Sequence, residues 1–354
     1  MLGTGRRIFA PLIAAALCLL PAAARAASDP AYPPLPEPLR IAQVPDSSTY
    51  YVIGHPGVPD STNEGNSSNA GFVITPDGVL VFDTLGTPSL GLALLQEIRK
   101  LTRAPIRYVV ISHYHADHIY GLQAFKDHAD AIVIAQEKAA DYTNPNSTDD
   151  ESAAPRLAQR RAALAPWVND KTRIIEPDIY FGPGLTISLG GKRFVLIYAG
   201  PAHSESDSMM LVLPDRVLFA GDIVQNSRIP FMSSADVSTA HWLEGLQLVA
   251  NLKPRFIIPG HGQPSTDVAS AITFTRDYIT FVRSAMGKAV EDWTDFDTAY
   301  KEVDWSKYQR YPAFDATNRG NAYRVFLEME NASFGAAGSP AAGDADRRPA
   351  SARP

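Results

Sequence analysis

Short apolar runs recur along the chain at residues 50–53, 71–74, 79–83, 108–112, 131–135, 185–189, 194–198, 209–213, 217–220 and 256–259. Their length and their content of β-branched and aromatic residues predict strands. Turn-forming clusters separate several of them, among them Pro76-Asp77-Gly78, Gly190-Gly191 and Pro214-Asp215. A helical spacing of apolar positions takes over at 89–101, 119–128, 153–168, 239–252 and 269–289. Strands interleaved with helices imply an α/β layered domain in which helices cover the sheets. No internal repeat is visible. The polar segment 149–171 reads as an inserted helix. Its Trp167 and leucines could cover part of a site, but a solvated surface helix is the expectation.

The two ends differ from this pattern. Arg6 and Arg7 precede an apolar run over 8–20, and Ala24-Arg25-Ala26 supplies a small-residue cleavage signal. Residues 1–26 are therefore expected to be a signal peptide, and the protein to be periplasmic or secreted. The run is shorter than the roughly 20 residues a membrane span needs, so no span is expected after cleavage. Residues 27–45, rich in Pro and Ala, read as an extended lead-in. Residues 46–334 would form the folded domain with C-terminal helices, and 335–354 a disordered tail.

Composition adds two constraints. Cleavage removes three arginines and no acid, taking the formal charge from −6 to −9. An acidic chain without a basic stripe gives no reason to expect a nucleic-acid partner, so a small-molecule substrate is expected. Cleavage also removes Cys18, the only cysteine. The mature chain then has no disulfide and no thiolate for a metal.

The chemistry concentrates in His113-Tyr114-His115-Ala116-Asp117-His118, which follows the apolar run ending at Ile111. Three of the eight histidines and one aspartate stand there. His113 and His115, two apart, share a side if the stretch is extended. Asp117 and His118 can face different ions once a helix begins near Asp117. Three later positions stand beside glycines just past apolar runs: His203 after Gly200-Pro201, Asp222 after Gly221, and His261 between Gly260 and Gly262. Glycine lets the chain turn sharply enough to aim each one. Imidazole and carboxylate together suit zinc or iron.

In this order the motifs resemble the metallo-β-lactamase superfamily, over roughly residues 50–264. The resemblance implies a four-layer αββα sandwich. It implies a first metal on His113, His115 and His203, a second on Asp117, His118 and His261, and Asp222 bridging. Asp83 would orient the ligand turns by hydrogen bonds.

Two Zn2+ ions so held would acidify a shared water for attack on a carbonyl carbon, with Asp117 orienting the nucleophile. The expected reaction is hydrolysis of an ester, thioester, lactone or related acyl bond. The common class B β-lactamases carry cysteine where Asp222 stands, arginine where His118 stands, and lysine where Gln225 stands, which argues against efficient β-lactam hydrolysis and leaves it as an alternative reading, at most a weak side activity. The stretches 204–222, 228–231 and 252–255 are similar to a periplasmic subgroup that includes the SoxH-type proteins, found with sulfur-oxidation or quinoprotein systems. His115-Ala116-Asp117-His118-Ile119 also resembles persulfide dioxygenases, implying the alternative of one Fe2+ on His113, His203 and Asp222. His55 with the 57–69 loop, Tyr114, Arg228 and Phe231 are candidate substrate contacts. His128 and His241 are expected to decorate helices.

Overall fold

The computed structural model describes residues 29–144, 147 and 152–338. The expected signal peptide lies outside the described residues, as does the expected tail beyond residue 338. Successive residues of strand β4 (Gly78–Phe82) show how the layers arise. Val79 and Val81 enter one apolar cluster, while Leu80 and Phe82 enter another. A strand presents alternate side chains to opposite faces, so one buried on both faces holds two cores apart.

The first sheet has seven strands in sequence order: β1 (Ile41–Gln43), β2 (Thr49–Val52), β3 (Ala70–Thr75), β4, β5 (Ile106–Val110), β6 (Ile132–Gln136) and β7 (Ile179–Phe181). Pairing is antiparallel from β1 to β4 and parallel from β4 to β7. The second sheet runs in the order β12-β11-β10-β9-β8. It contains β8 (Gly184–Leu189), β9 (Lys192–Tyr198), β10 (Ser208–Leu213), β11 (Val217–Asn226) and β12 (Phe256–Gly262). Only its β11–β12 pair is parallel.

Helices α1 (Pro88–Leu101), α2 (Ala116–Ile119), α3 (Leu122–Ala129), α4 (Ala140–Thr143) and α5 (Ala153–Leu164) accompany the first sheet. Helices α6 (Thr239–Leu252), α7 (Val268–Glu291), α8 (Phe296–Glu302) and α9 (Phe314–Gly338) cover the second. Between the sheets Leu80, Phe82, Val110 and Ile134 meet Phe194, Met210, Phe219 and Ile258. The Phe82 and Phe219 rings stack across this seam with centroids 5.2 Å apart. Each such fully buried side chain contributes about 1.5–3 kcal/mol. The result is the expected αββα sandwich.

Several boundaries differ from the apolar pattern. The expected helix at 119–128 is split at Gly121 into α2 and α3. A Cβ there would lie 1.9 Å from the Thr84 carbonyl oxygen and 2.9 Å from Gly91 Cα, so close backbone approach interrupts the helix. α5 stops at Leu164, two residues before Pro166, because proline disfavours helical backbone in the residue before it. β1 lies within the expected lead-in, whose Tyr32 packs beside Ala124 and donates to Asp127. α9 continues through residue 338, four residues into the segment expected to be disordered. β1 and β7 are edge strands of three residues, too short for periodicity to register. Among the described residues no helix is long and apolar enough to cross a membrane.

Candidate metal centre

The ligand-type residues gather at one edge of both sheets. β5 ends at Val110, the chain passes through Ile111 and Ser112, and α2 starts at Ala116. His113, His115, Asp117 and His118 are thereby packed into one turn. His203 arrives from the connection between β9 and β10. β11 and β12 continue beyond their expected ends, through Asp222 and His261. Their register pairs Gly221 with Pro259 and Gln225 with His261, so β11 bulges opposite β12. Asp222 lies in that bulge, behind Gly221 at φ +51°. Bulges re-aim a side chain without ending a strand.

All seven residues come together. Ligand atoms of His113, His115 and His203 lie within 4.8 Å of one another, as do those of His113, His118 and Asp222, and those of Asp117, His118 and His261. His115 Nδ1 is 3.0 Å from His113 Nε2 and 2.9 Å from His203 Nε2. Asp222 joins the two sides: Oδ1 is 3.2 Å from His118 Nε2, and Oδ2 is 3.2 Å from both His203 Nε2 and His261 Nε2. Asp117 Oδ2 lies 3.3 Å from His261 Nε2.

Hydrogen bonds behind these rings fix which nitrogen faces inward. Asp83 accepts from Ser112 N at 2.7 Å and from Ser112 Oγ at 2.8 Å. With its proton on Asp83, Ser112 Oγ accepts from His113 Nδ1 at 2.9 Å, leaving the His113 Nε2 lone pair pointing inward. Asp83 Oδ2 also takes His118 Nδ1 at 2.9 Å. His203 Nδ1 donates to the Phe231 carbonyl at 3.0 Å, and His261 Nδ1 to the Ser67 carbonyl at 2.7 Å. Gln225 Nε2 donates to Asp222 Oδ2 at 3.0 Å. Metal-ligating histidines are oriented in this way.

The donor set fits metal ions. The lone pairs of His113 Nε2 and His203 Nε2 converge on His115 Nδ1, where one proton can serve only one of them and a cation serves all three. His118 Nε2 and Asp222 Oδ1 are buried and face each other at 3.2 Å without the alignment of a hydrogen bond; buried polar atoms are seldom left so. Burial, then the neighbouring His118, press His113 well below its ordinary pKa; burial and His113 do the same to His115. Neutral imidazole is the ligating form. Burial works against charge at His118 too, but Asp222, Asp83 and Asp117 outweigh it and hold its pKa well above the usual value. Asp222 and Asp117 stay well below the carboxylate range despite burial, because histidines surround them. This excess of carboxylate charge is what divalent cations would neutralise.

A cleft of about 350 Å3 opens over the cluster, lined by His115, Asp117, His203, Asp222 and His261. Of the candidate substrate contacts, Arg228 and Phe231 line it. Arg228 is nevertheless committed: its guanidinium donates to Gln225 Oε1 at 2.7 Å and to the Pro56 and Gly57 carbonyls at 3.1 and 3.3 Å. Tyr114 and His55 do not line this cleft. The Tyr114 ring stacks on Tyr142 at 4.3 Å and its hydroxyl donates to Asp236, facing a neighbouring pocket. His55 is exposed on another pocket beside Glu64, because its backbone pairing with Asn66 turns it away. His128 closes the last turn of α3 and His241 stands in the first turn of α6, both away from the cluster.

Sequence reasoning missed Arg156 and Arg160, which bring the inserted helix α5 to the cleft. Their spacing of four residues was a usable signal, since it puts both on one helix face. Ser67 was missed too; its carbonyl orients His261 and its hydroxyl donates to Asp117 at 3.2 Å.

A family model described as the metallo-β-lactamase superfamily matches residues 63–261, and the chain belongs to that superfamily. It is 24% identical over 242 residues to a linear primary-alkylsulfatase from Pseudomonas sp. (strain ATCC 19151), covering 60% of this chain and 45% of that protein. Among solved structures it resembles a stereoselective inverting sec-alkylsulfatase from Pseudomonas sp., with TM-score 0.63, 16% identity, and coverage of 82% of this chain and 50% of the other. It also resembles a metallo-β-lactamase family protein from Thermus thermophilus, with TM-score 0.58, 19% identity, and coverage of 82% and 94%. The chain spans about half the length of the first curated relatives it matches. At these identities the structural likeness shows the fold.

Proposed function

We propose that the protein is an exported dinuclear zinc hydrolase that cleaves a carboxylic ester, thioester, lactone or related acyl bond. The observation that carries this reading is the pair of three-residue ligand groups, His113/His115/His203 and Asp117/His118/His261, with Asp222 in contact with both. Two divalent cations held there would lower the pKa of water and polarise the acyl oxygen. The protein's own part is positioning. Asp117 is the most open of these side chains, 17% exposed against 4% or less for His118, His203, Asp222 and His261. Kept ionised by its histidine neighbours, it can accept a hydrogen bond from the attacking water and orient it toward the acyl carbon. Ser67, donating to Asp117, holds that carboxylate in place. The superfamily fold, the donor set and the absence of cysteine from residues 27–354 support zinc held by nitrogen and oxygen.

Gln225 is turned toward Asp222 and Arg228 and not into the cleft. That weighs against β-lactams, whose carboxylate is met in the common enzymes by a lysine at this position. The likeness to SoxH-type proteins and the leader pattern at 1–26 support a periplasmic setting. Elemental analysis of protein purified without added metal tests the reading. Two zinc ions per chain, with turnover on a panel of esters, thioesters and lactones, is the expected result. One iron per chain, with no turnover on that panel, would overturn it in favour of persulfide oxidation.

A further inference from the structure

The connection between β11 and α6 carries the Phe231 carbonyl that takes the His203 Nδ1 proton. What holds that carbonyl lies on α9, far along the chain. Ala322, Val325 and Phe326 anchor α9 in the core over the second sheet, and Asn321 is fully buried beside them. Asn321 grips the connection on both sides of Phe231. Its Nδ2 donates to the Pro230 carbonyl at 2.7 Å, and its Oδ1 accepts from Met232 N at 2.7 Å and from Ser233 Oγ at 3.2 Å. One turn further on, Arg324 donates to the Ser234, Ala235 and Val237 carbonyls at 3.1, 2.6 and 3.0 Å. At the far end of the connection Ser238 N donates to the Ala202 carbonyl at 2.9 Å, next to His203. The connection is thus held between α9 and the turn that bears the histidine.

The Met232 N–H and the Phe231 carbonyl belong to one peptide unit. That peptide is trans, and a planar trans peptide points its N–H and its C=O in opposite directions. With the N–H fixed on Asn321, the carbonyl faces away from α9, where it meets His203 Nδ1 at 3.0 Å. Turning the peptide would leave the buried Met232 N–H and Asn321 Oδ1 without each other, a state folded proteins avoid. We infer that Asn321 is a positioning residue for the metal centre: through the Phe231–Met232 peptide it holds His203 with Nε2 turned toward His113 and His115. This rests on the reading of those three histidines as ligands and deepens it, since it extends the site to the C-terminal helix. The same grip sets the Phe231 ring on the cleft wall. Asn318, one turn before Asn321 and equally buried, supplies a built-in contrast. Its hydrogen bonds run to the Tyr278 and Tyr300 hydroxyls, at 2.8 and 3.1 Å, and not to the connection.

The test titrates zinc against a competing chelator in the whole protein and in His203→Ala, Asn321→Leu and Asn318→Leu, with a thermal unfolding midpoint for each. His203→Ala identifies the binding step that depends on that ligand. Asn321→Leu should weaken the same step by about tenfold, the low end of the range for an orienting partner, because it acts through one intervening peptide. The other step should change far less. Asn318→Leu should lower the unfolding midpoint while leaving both steps near those of the parent protein. In histidine 15N spectra of the zinc-loaded protein, the His203 Nδ1–H signal should exchange with solvent faster in Asn321→Leu than in the parent. Parent-like zinc steps in a folded Asn321→Leu would overturn the inference. So would an equal loss in Asn318→Leu, since general loosening of α9 would then explain it. Should Asn321→Leu not fold, hydrogen exchange in the parent protein decides. The Met232 amide should be as protected as the buried amides of α9, and exchange as fast as in exposed loops would refute the grip. A His203→Ala variant that binds zinc as the parent does sinks the metal reading itself. A step that depends on His203 and ignores Asn321 sinks only this inference.

Discussion

Asp83→Asn isolates the hydrogen bonds that aim the histidines. Asp83 sits at φ +59°, in the left-handed region that asparagine tolerates well, so the backbone has no reason to move. Asn can still accept from Ser112 N through Oδ1. Its amide group, however, replaces Oδ2, the atom that receives both Ser112 Oγ and His118 Nδ1. The serine hydroxyl can rotate away. His118 must exchange tautomers, putting a proton on Nε2 where it faces Asp222 and Asp117. A protonated Nε2 cannot ligate. Loss of such an orienting partner lowers metal affinity by about 10–100-fold, or about 1.4–2.8 kcal/mol. Zinc titration against a competing chelator resolves the two binding steps. The ion on Asp117, His118 and His261 should weaken by that factor, while the ion on His113, His115 and His203 changes far less. Two ions bound by Asp83→Asn as tightly as by the parent protein would refute the orienting role of Asp83.

Gly260→Ala places a Cβ 1.9 Å from Asp222 Oδ1 and 2.7 Å from the Gly221 carbonyl carbon, so the Asp222 carboxylate or the bulge must shift. Elemental analysis should show fewer than two metal ions per chain, and a fully loaded variant would count against the close packing of β11 on β12. Asp215 reports on acid stability away from the site. Burial works to raise its pKa, but hydrogen bonds from Lys192, at 2.7 Å, and from Ser47 outweigh it and lower the value. A lowered folded pKa means stability that is present above the unfolded value of about 3.9 and lost as pH falls through the folded one. Asp215→Asn should therefore cost about 1 kcal/mol at pH 7 in urea unfolding and progressively less below pH 4. An equal cost at both pH values would show that the effect is not the carboxylate charge.

The central strands, the candidate ligand residues and the αββα expectation were legible in the amino-acid pattern alone. These signals are local or periodic: four ligand-type residues within six positions, glycines beside Asp222 and His261, and apolar runs that are buried whichever strand they pair with. Tertiary structure decided what depends on partners far along the chain. The nitrogen that His261 turns inward is set by the Ser67 carbonyl, 194 residues away, and the His203 ring by Phe231, 28 residues away. The split at Gly121 needs the Thr84 and Gly91 backbones to arrive beside it. The β11 bulge exists only against β12. Arg156 and Arg160 are ordinary surface-helix residues in the sequence, and they reach the cleft because the other face of α5 is anchored in the core. His55 and Tyr114 looked equally suited to the cleft, and loop pairing with Asn66 and stacking on Tyr142 turned them elsewhere. Which side chains are of ligand type is written in residue identity and spacing. Ligand orientation and the charge of the cleft come from contacts that form only once distant segments are packed together.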